Sequence, residues 1–417
     1  MNKRMLKNKF FSGRIALEHK IVLLLLAPLF ALLSFGKVKI NGNGFEGTKE
    51  FNVEIPYIDY VLMSPDQNQD NLKEIIWYDD FSTSKTYMDS RGAIDTTVSF
   101  GAIGGSVNVG FNKGDVFGKG DRKVAFGDFP GNTHVIKPNQ TFDEVYWRVY
   151  VKHEKGWEGS PAKMSRATSI VSKDWQQAMI AHVWNGGGPV LTLDPARGVF
   201  EQTDSIITTK YNDFDNLVWL GNRPTAQFPL TSSEESGYWV LVESRAKLNT
   251  PGKSDGINQL WIDGRLEVDR RNLNFRGSYT DHGINAVFLE SYWNDGAVKE
   301  EGRWYDNFVI STEPIGPIQS MPNPTVCKTL YAGKTDFGSW ELQLATDYEG
   351  EGVVYVSNEV KKDGCMEVNG VNGSFQGDLK GKSQLDSDQV YYGRVRQKNS
   401  DGEWSNWSRW HQGFKVN

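Results

Sequence analysis

The chain has 417 residues, of which 38% are hydrophobic and 12% are aromatic, so it is long and apolar enough to bury the cores of two or more domains. Its formal net charge is −6 and no basic stripe runs along the sequence, which excludes nucleic acid as the expected partner because phosphate binding needs a positive surface. The 43 glycines fit short strands joined by tight turns, and the glycine-rich run at residues 101–105 predicts a turn, not a nucleotide-binding loop.

Residues 1–42 predict an export signal. A basic segment that includes Lys3, Arg4 and Lys7 precedes an apolar run at residues 21–35. This run is short for a membrane span and typical of the hydrophobic part of a signal peptide. No small-x-small cleavage site follows it cleanly, so the segment is either a cleaved signal peptide or an N-terminal anchor. We therefore expect an extracellular, periplasmic or cell-surface protein, with membrane attachment only through this segment.

Residues 43–74 predict a linker with one short extended piece at residues 51–62, because the rest of the segment is polar and has no apolar period. From residue 75 the pattern becomes that of β-strands separated by turn signals, without a sustained helical period. A domain of this size must stack two sheets to bury both apolar faces. Residues 75–318 are therefore predicted to form one all-β, antiparallel two-sheet sandwich.

Several strands between residues 146 and 293 alternate between apolar and polar or aromatic side chains. The Asp263-Gly264 pair between two apolar runs predicts a tight hairpin and hence antiparallel pairing. The side chains predicted for the core include Trp147, Val149, Val151, Met179, Ala181, Val183, Val287 and Leu289. Those predicted for the opposite face include Arg148, Tyr150, His182, Trp184, Trp239, Glu243, Arg245, Glu290 and Tyr292. A face that combines aromatics with charges is typical of a sugar-binding surface; an ordinary solvated face is the alternative.

A domain boundary is predicted at residues 312–324, where four prolines between Pro314 and Pro324 stiffen the chain and block sheet pairing. Residues 319–324 are taken as the linker, and residues 325–417 predict a small β-sandwich. The only two cysteines, Cys327 and Cys365, lie in this part of an exported chain, where oxidation is expected. They predict a disulfide, with two separate buried thiols as the alternative.

The run at residues 391–408 contains a Trp-Ser-Asn-Trp-Ser sequence and resembles the last hairpin of a fibronectin type III domain. Arg394 and Arg396 alternate along its first strand. They are predicted to interleave with Trp404 and Trp407 in a cation–π ladder of structural character. The C-terminal domain is therefore expected to be type III-like.

Residues 75–318 resemble the concanavalin A-like jelly roll of carbohydrate-active proteins, most clearly at residues 77–82 and 304–316. In many such domains the first and last strands lie side by side, and an acidic residue there helps to bind a structural calcium ion. The matching positions here are Asp79, Asp80 and Asp306. The resemblance thus implies a calcium site built from hard oxygen ligands, and turn caps are the alternative.

Within this fold, the alginate-lyase-like families carry an arginine strand, a Gln-x-His strand and a closing strand with a tyrosine. The matching residues here are Arg148, His182 and Tyr292, whereas Ile180 stands at the position of the glutamine. β-Elimination from a uronate needs a cation, a base and an acid, and these types are supplied by Arg148 or Arg245, His182 and Tyr292. The substrate-binding residues are expected to be Arg245, Glu243, Glu290, Tyr150, Trp184 and Trp239. The resemblance implies a lyase whose partner is an anionic polysaccharide.

Two other functions stay open. A glycoside hydrolase would need a pair of carboxylates, for which Glu243 and Glu290 are the candidates. A non-catalytic lectin or adhesin would use amphipathic aromatics to stack sugar rings without any chemistry. The aromatics available for that role are Tyr150, Trp184, Trp239 and Tyr292.

Overall fold

A computed structural model describes residues 53–64, 73–160, 163–221 and 223–416. The predicted signal segment at residues 1–42 and most of the predicted linker, at residues 43–52 and 65–72, lie outside the described residues. In the described part, helix is limited to two single 3-10 turns, Phe100–Ala102 and Gly377–Leu379. None of the helices described is long and apolar enough to cross a membrane. The predicted all-β class is confirmed.

The described residues form short strands joined by turns. In chain order the strands are β1 (Ile58–Val61), β2 (Ile75–Asp79), β3 (Asp89–Arg91), β4 (Ile94–Asp95), β5 (Ser106–Asn108), β6 (Asp121–Phe126), β7 (Val135–Ile136), β8 (Glu144–His153), β9 (Lys163–Ile170), β10 (Gln177–Asn185), β11 (Leu191–Arg197), β12 (Val218–Trp219), β13 (Trp239–Lys247), β14 (Gly256–Ile262), β15 (Arg265–Leu273), β16 (Ala286–Tyr292), β17 (Arg303–Ser311) and β18 (Gln319–Ser320). The last part of the chain adds β19 (Thr325–Lys328), β20 (Phe337–Ala345), β21 (Val353–Ser357), β22 (Cys365–Glu367), β23 (Gly373–Phe375), β24 (Val390–Asn399) and β25 (His411–Val416).

Two eight-stranded sheets form the first sandwich. Sheet I has the order β15-β14-β13-β8-β17-β5-β4, and β2 also pairs with β17. Sheet II has the order β12-β11-β10-β9-β16-β6-β3, and β7 also pairs with β6. Strands that are distant in sequence pair with each other, such as β9 with β16 and β8 with β17, so the chain crosses repeatedly between the sheets as in a jelly roll. The predicted two-sheet sandwich is confirmed.

The space between the two sheets holds the side chains that the alternating pattern assigns to the core. All eight residues named above for this role are buried in one cluster. The indole Nε1 of Trp147 donates to Oγ of Ser165 at 3.0 Å, which satisfies its polar atom inside the core. Asp263 and Gly264 have φ values of 47° and 79° and join β14 to β15, so the predicted hairpin is confirmed.

A second, smaller sandwich contains the six-stranded sheet β18-β25-β24-β20-β21-β23 and the three-stranded sheet β1-β19-β22. Strand β1 comes from the extended piece that precedes the first sandwich and completes this second sandwich by pairing with β19. Strand β18 pairs in parallel with β25 between Pro317 and Pro322, because Gln319 and Ser320 keep the backbone N–H groups that prolines lack. The expectation that this segment is excluded from sheet pairing is therefore wrong.

Two predicted features of the second sandwich are present. A disulfide between Cys327 and Cys365 joins β19 to β22, which confirms the bonded alternative. The cation–π ladder is also confirmed: the guanidinium of Arg394 lies 5.0 Å from the Trp407 ring, and that of Arg396 lies 4.4 Å from Trp404 and 4.6 Å from Trp407. Trp410 adds a further ring, 4.6 Å from Arg394. The type III-like assignment itself stays a prediction.

The second sandwich packs on the outer face of sheet I. Arg409, which precedes β25, donates to Oδ2 of Asp263 at 3.1 Å, to the hydroxyl of Tyr238 at 2.9 Å and to Oε2 of Glu235 at 3.3 Å. These three acceptors belong to the first sandwich, and the carboxylate of Asp263 has no exposed surface. The buried charges thus tie the two sandwiches together.

We expect Arg409→Ala to lower the free energy of unfolding by about 3 kcal/mol, because it leaves the buried carboxylate of Asp263 without its cation. The matched control is Arg271→Ala, whose ion pair with Asp269 is exposed and should contribute less than about 1 kcal/mol. Urea unfolding of both variants measures the difference. Equal losses would show that Arg409 contributes no more than a surface ion pair.

Candidate functional site

The predicted site residues divide between the two sheets. The sheet I set is Arg148, Tyr150, Trp239, Glu243 and Arg245; the sheet II set is His182, Trp184, Glu290 and Tyr292. Both sets lie on outer faces, which point away from each other across the stacked core. Arg148 therefore cannot act on one sugar ring together with His182 and Tyr292, although the resemblance implies that these three residues share a site.

Three residues of the sheet I set hold the segment that connects the two sandwiches. Glu243 accepts hydrogen bonds from the N–H groups of Gly316 and of the residue before it, at 2.8 and 2.9 Å. Nη1 of Arg148 donates to the Gly316 carbonyl at 3.0 Å, and the Tyr150 hydroxyl accepts from the N–H of Ile318 at 3.1 Å. All three side chains are buried. They stabilise the connection and are not available to a polysaccharide.

The other two residues of the sheet I set, Trp239 and Arg245, are engaged in contacts within the protein. Trp239 is fully buried in the cluster shared with the second sandwich, so it cannot stack a sugar ring. Arg245 donates through Nε to Oε1 of Glu144 at 2.7 Å. The hydrolase alternative also loses its carboxylate pair, because Glu243 and Glu290 lie on opposite faces of the sandwich and cannot flank one glycosidic bond.

The outer face of sheet II contains a buried ion pair. Arg166 of β9 donates to both carboxylate oxygens of Glu290, from Nε to Oε2 at 2.8 Å and from Nη2 to Oε1 at 2.7 Å. Nε2 of His182 lies 3.5 Å from the same Oε2. Burial acts to raise the pKa of Glu290, but the charge of Arg166 outweighs it and holds that pKa well below its usual range. Glu290 is therefore an anion at neutral pH.

His182 is neutral at physiological pH. Burial, and then the positive charge of Arg166, lower the pKa of His182 to about 4, against the opposing effect of Glu290. The sequence predicts that an arginine lowers this pKa and that Glu290 raises it. The sequence also predicts that the pKa of His182 lies near working pH. The structure does not support this value, because burial of the ring is the largest effect and lowers the pKa.

The loop between β11 and β12 forms one wall of the site. Nη1 of Arg166 donates to Oδ1 of Asn212 at 2.6 Å, and its guanidinium lies 5.3 Å from the Tyr211 ring. The backbone of Asn212 has a φ of 55°, a left-handed conformation that asparagine tolerates well, and its N–H donates to Oε1 of Gln177 at 2.8 Å. Its side chain also forms a hydrogen bond with Tyr211, so the two residues build this wall together.

A cleft of about 480 Å³ opens on this face. Its lining residues are Arg91, Phe117, Asp121, Lys123, Lys163, Tyr211, Asn212, Phe214, Glu290, Ser291 and Tyr292. The ammonium of Lys163 lies 4.4 Å from the centroid of the Tyr292 ring and 5.3 Å from that of Phe214. Burial lowers the pKa of Lys163, against the opposing attraction of the Glu290 carboxylate, and its ammonium forms no direct ion pair with a described residue. Phe117, which is 62% exposed, meets Tyr292 edge to face at 5.0 Å.

The sequence prediction omits Lys163, Arg166 and Asn212. Residues three apart in a regular strand face opposite sides, so Lys163 and Arg166 do not look like members of one site. The register of β9 against β10 shifts between Val183 and Trp184, and this irregularity brings both cations to the outer face. The presence of two cations in one short strand is the feature of the sequence that could have indicated this site.

The acidic positions predicted for calcium lie where expected, because β2 and β17 pair side by side. Asp79 accepts hydrogen bonds from a backbone N–H at 2.8 Å and from the Tyr87 hydroxyl at 2.6 Å. Asp306 accepts from the N–H groups of Phe100 and Asn307 at 2.7 and 2.6 Å. No group of three or more metal-ligating His, Cys, Asp or Glu side chains occurs among the described residues. The carboxylates of Asp79 and Asp306 thus serve as hydrogen-bond acceptors where these two strands pair.

Calcium binding at Asp79, Asp80 and Asp306 stays a prediction. The buried Oδ1 of Asn307, which has no hydrogen-bond donor, is a further oxygen that a cation could use. At a hundredfold excess over its Kd, calcium would raise the Tm by about 5–10 °C, since it stabilises only the folded state. Thermal unfolding with calcium and with chelator measures this. An unchanged Tm would leave the acidic residues as turn caps.

No protein-family model and no curated protein matches the chain. Among solved structures it is similar to an endo-β-1,4-glucuronan lyase from the fungus Trichoderma reesei, at 14% identity over 62% of this chain and 94% of that chain, with a TM-score of 0.37. It is also similar to a PL-14 alginate lyase from Aplysia kurodai, at 12% identity over 57% and 99%, with a TM-score of 0.38. The alginate lyase vAL-1 from Chlorella virus gives 14% identity over 54% and 91%, with a TM-score of 0.38. These neighbours are polysaccharide lyases; similarity this low carries no inference about activity.

We expect Arg166→Met to cost about 3–5 kcal/mol of folding stability, because Glu290 is left as a buried charge without its partner. The double variant Arg166→Met/Glu290→Gln should recover part of this loss. Since the folded pKa of Glu290 is depressed, its ionisation stabilises the fold above the unfolded pKa of about 4.3, and that contribution is lost as pH falls toward the folded pKa. Urea unfolding at neutral and at acidic pH should show this; a double variant as unstable as the single one would contradict it.

Proposed function

We propose that the protein is an exported lyase that cleaves a uronic-acid-containing polysaccharide by β-elimination in the sheet II cleft. The observation that carries the proposal is the ammonium of Lys163, which lies against the Tyr292 ring and forms no direct ion pair with any described residue. The other two cations of the cleft are paired, Arg91 with Asp121 and Lys123 with a neighbouring aspartate. Export follows from the predicted signal segment.

The cleft supplies the three groups that the reaction needs. The side-chain amide of Asn212, which lines the cleft, donates a hydrogen bond to the uronate carboxylate and so acidifies the proton on C5. Lys163 takes that proton, since burial lowers its pKa and increases the fraction of neutral amine. The hydroxyl of Tyr292 protonates the leaving oxygen.

The step balances in atoms and electrons. The C5–H bond breaks and its proton moves to Nζ of Lys163, while its electron pair forms the C4–C5 double bond. The C4–O bond breaks, and the leaving oxygen takes the proton of Tyr292. The ammonium of Lys163, which lies 4.4 Å from the centroid of the Tyr292 ring, then returns a proton to the Tyr292 phenolate. The enzyme is regenerated without a co-reactant.

His182 and Glu290 have a positioning role in this site and do not transfer protons. His182 is almost fully buried, and its Nε2 faces the Glu290 carboxylate, so it is poorly placed to reach a proton on a bound sugar. Glu290 is held by both donors of Arg166 and therefore cannot act as a free base. We assign them to the positioning of Arg166 and, through it, of Asn212.

A lectin is the second candidate, favoured by the exposed aromatic rims of the same cleft. Phe117 and Phe214 are both exposed and flank Lys163 and Tyr292. These rings could bind sugars with or without chemistry. Cleavage and binding must therefore be measured separately.

We expect Lys163→Ala and Tyr292→Phe each to lower the rate of polyuronate cleavage by about 10²–10⁴-fold, because each removes one proton-transfer group, while polymer binding is kept. The absorbance of unsaturated products measures cleavage. The wild-type rate should rise with pH through a midpoint below 10.5, the ordinary value for lysine, as Lys163 loses its proton. The matched control is Lys123→Ala, which removes a paired cation of the same cleft.

Two outcomes would contradict these assignments. If His182→Ala abolishes cleavage while Lys163→Ala does not, the base is His182. If the wild-type protein binds polyuronates and releases no unsaturated product from any of them, the lectin candidate is correct.

A further inference from the structure

Sheet II carries a second group of polar and aromatic side chains beside the cleft, on β10 and β11. Trp184 is the cross-strand neighbour of Thr192, and His182 is that of Asp194. Arg223, from the loop after β12, lies over this group. We refer to Trp184, Thr192, Asp194 and Arg223 as the β10–β11 patch.

The β10–β11 patch contains buried polar atoms whose hydrogen-bonding capacity is unused. Nε1 of Trp184 and Oγ1 of Thr192 have no hydrogen-bond partner among the described residues, whereas Oδ2 of Asp194 is paired with Arg223. Thr192 and Asp194 are at most 2% exposed. Buried polar groups are nearly always hydrogen-bonded, so the open donor and acceptor need a partner from outside the protein, either ordered water or a ligand.

Arg223 gives the β10–β11 patch a positive charge toward solvent. Its Nε lies 3.0 Å from Oδ2 of Asp194, and its side chain is 50% exposed. Its guanidinium lies 5.4 Å from the Trp184 ring and 5.7 Å from that of Trp219. Contact with two indoles restricts the guanidinium plane, while the remaining N–H groups stay available. A planar guanidinium held in this way is suited to bind a carboxylate through two hydrogen bonds.

The β10–β11 patch continues the row of side chains that contains the proposed catalytic pair. Tyr292 on β16 pairs with Lys163 on β9, and Lys163 pairs with Trp184 on β10, which pairs with Thr192 on β11. Neighbouring strands lie about 4.8 Å apart, so the row from Lys163 to Thr192 spans about 10 Å. A polysaccharide that crosses the strands could therefore occupy the cleft and the patch at the same time.

We propose that the β10–β11 patch is a second sugar subsite, in which Arg223 binds the carboxylate of another uronate residue of the same chain and Asp194 accepts hydrogen bonds from its hydroxyl groups. The inference rests on the proposed function and deepens it. The substrate is then a polymer rich in uronate, with acidic residues at the bond that is cleaved and beyond it. A polymer with isolated uronates would fill the cleft and leave Arg223 without an anion.

The test uses Arg223→Ala in the full-length protein. The probes are polymers of glucuronate, mannuronate, guluronate and galacturonate, together with the same polymers after reduction of their carboxyl groups. We expect Kd and KM for the preferred polyuronate to rise about tenfold or more, because a charge-assisted contact is lost, while kcat changes little. Binding of the reduced polymer should be unaffected. The matched control is Arg271→Ala, an exposed arginine on the edge strand of sheet I, which should leave all these values unchanged.

These measurements distinguish a failure of the proposed subsite from a failure of the proposed lyase activity. An unchanged Kd in Arg223→Ala, an equal loss on charged and reduced polymers, or no binding of any polyuronate by the wild type would each overturn the subsite. Binding that depends on Arg223 without any cleavage by the wild type would support the subsite and contradict the lyase.

Discussion

The buried ion pair between Arg166 and Glu290 is the interaction on which the sheet II site depends. It joins the neighbouring strands β9 and β16, and the same guanidinium also reaches the loop wall at Asn212. Its charge, together with burial, keeps His182 neutral. A fully buried cation needs such partners, because desolvation of an unpaired charge is very costly. The Arg166 side chain thus fixes the positions of Glu290 at the base of the cleft and of Asn212 in its wall.

One outer face of the first sandwich is covered and the other is open to solvent, and this difference decides where a binding site can lie. The face of sheet I is covered by the connecting segment and by the second sandwich, whose three-stranded sheet takes its strand β1 from before the first sandwich. Glu243 and Arg148 satisfy the backbone of that connection. The face of sheet II keeps an open cleft, so its side chains meet solvent and any polymer.

On the face of sheet II, neighbouring side chains differ in how far their hydrogen-bonding capacity is used. Arg166 is fully engaged by Glu290 and Asn212 and has a structural role. Lys163 lies against two aromatic rings and forms no direct ion pair with a described residue, which leaves its charge or its lone pair for a substrate. Asp194 lies in between, since its carboxylate pairs with the half-exposed guanidinium of Arg223. Lys163, Trp184 and Thr192, whose polar atoms have unused capacity, lie in one row across the strands.

The sequence by itself determined the all-β class, the core side chains of β8 and β10, the Asp263-Gly264 hairpin, the disulfide and the cation–π ladder. Each of these follows from local periodicity, turn chemistry or short spacing, which a single strand or hairpin expresses alone. Only the tertiary structure decided which strands share a sheet and which face is covered. Arg148 and Arg166 are both strand arginines on outer faces, yet one binds a backbone carbonyl under a second domain and the other a carboxylate beside a cleft. That difference arises from chain crossovers, a register shift and domain packing, and alternation along a strand specifies none of them.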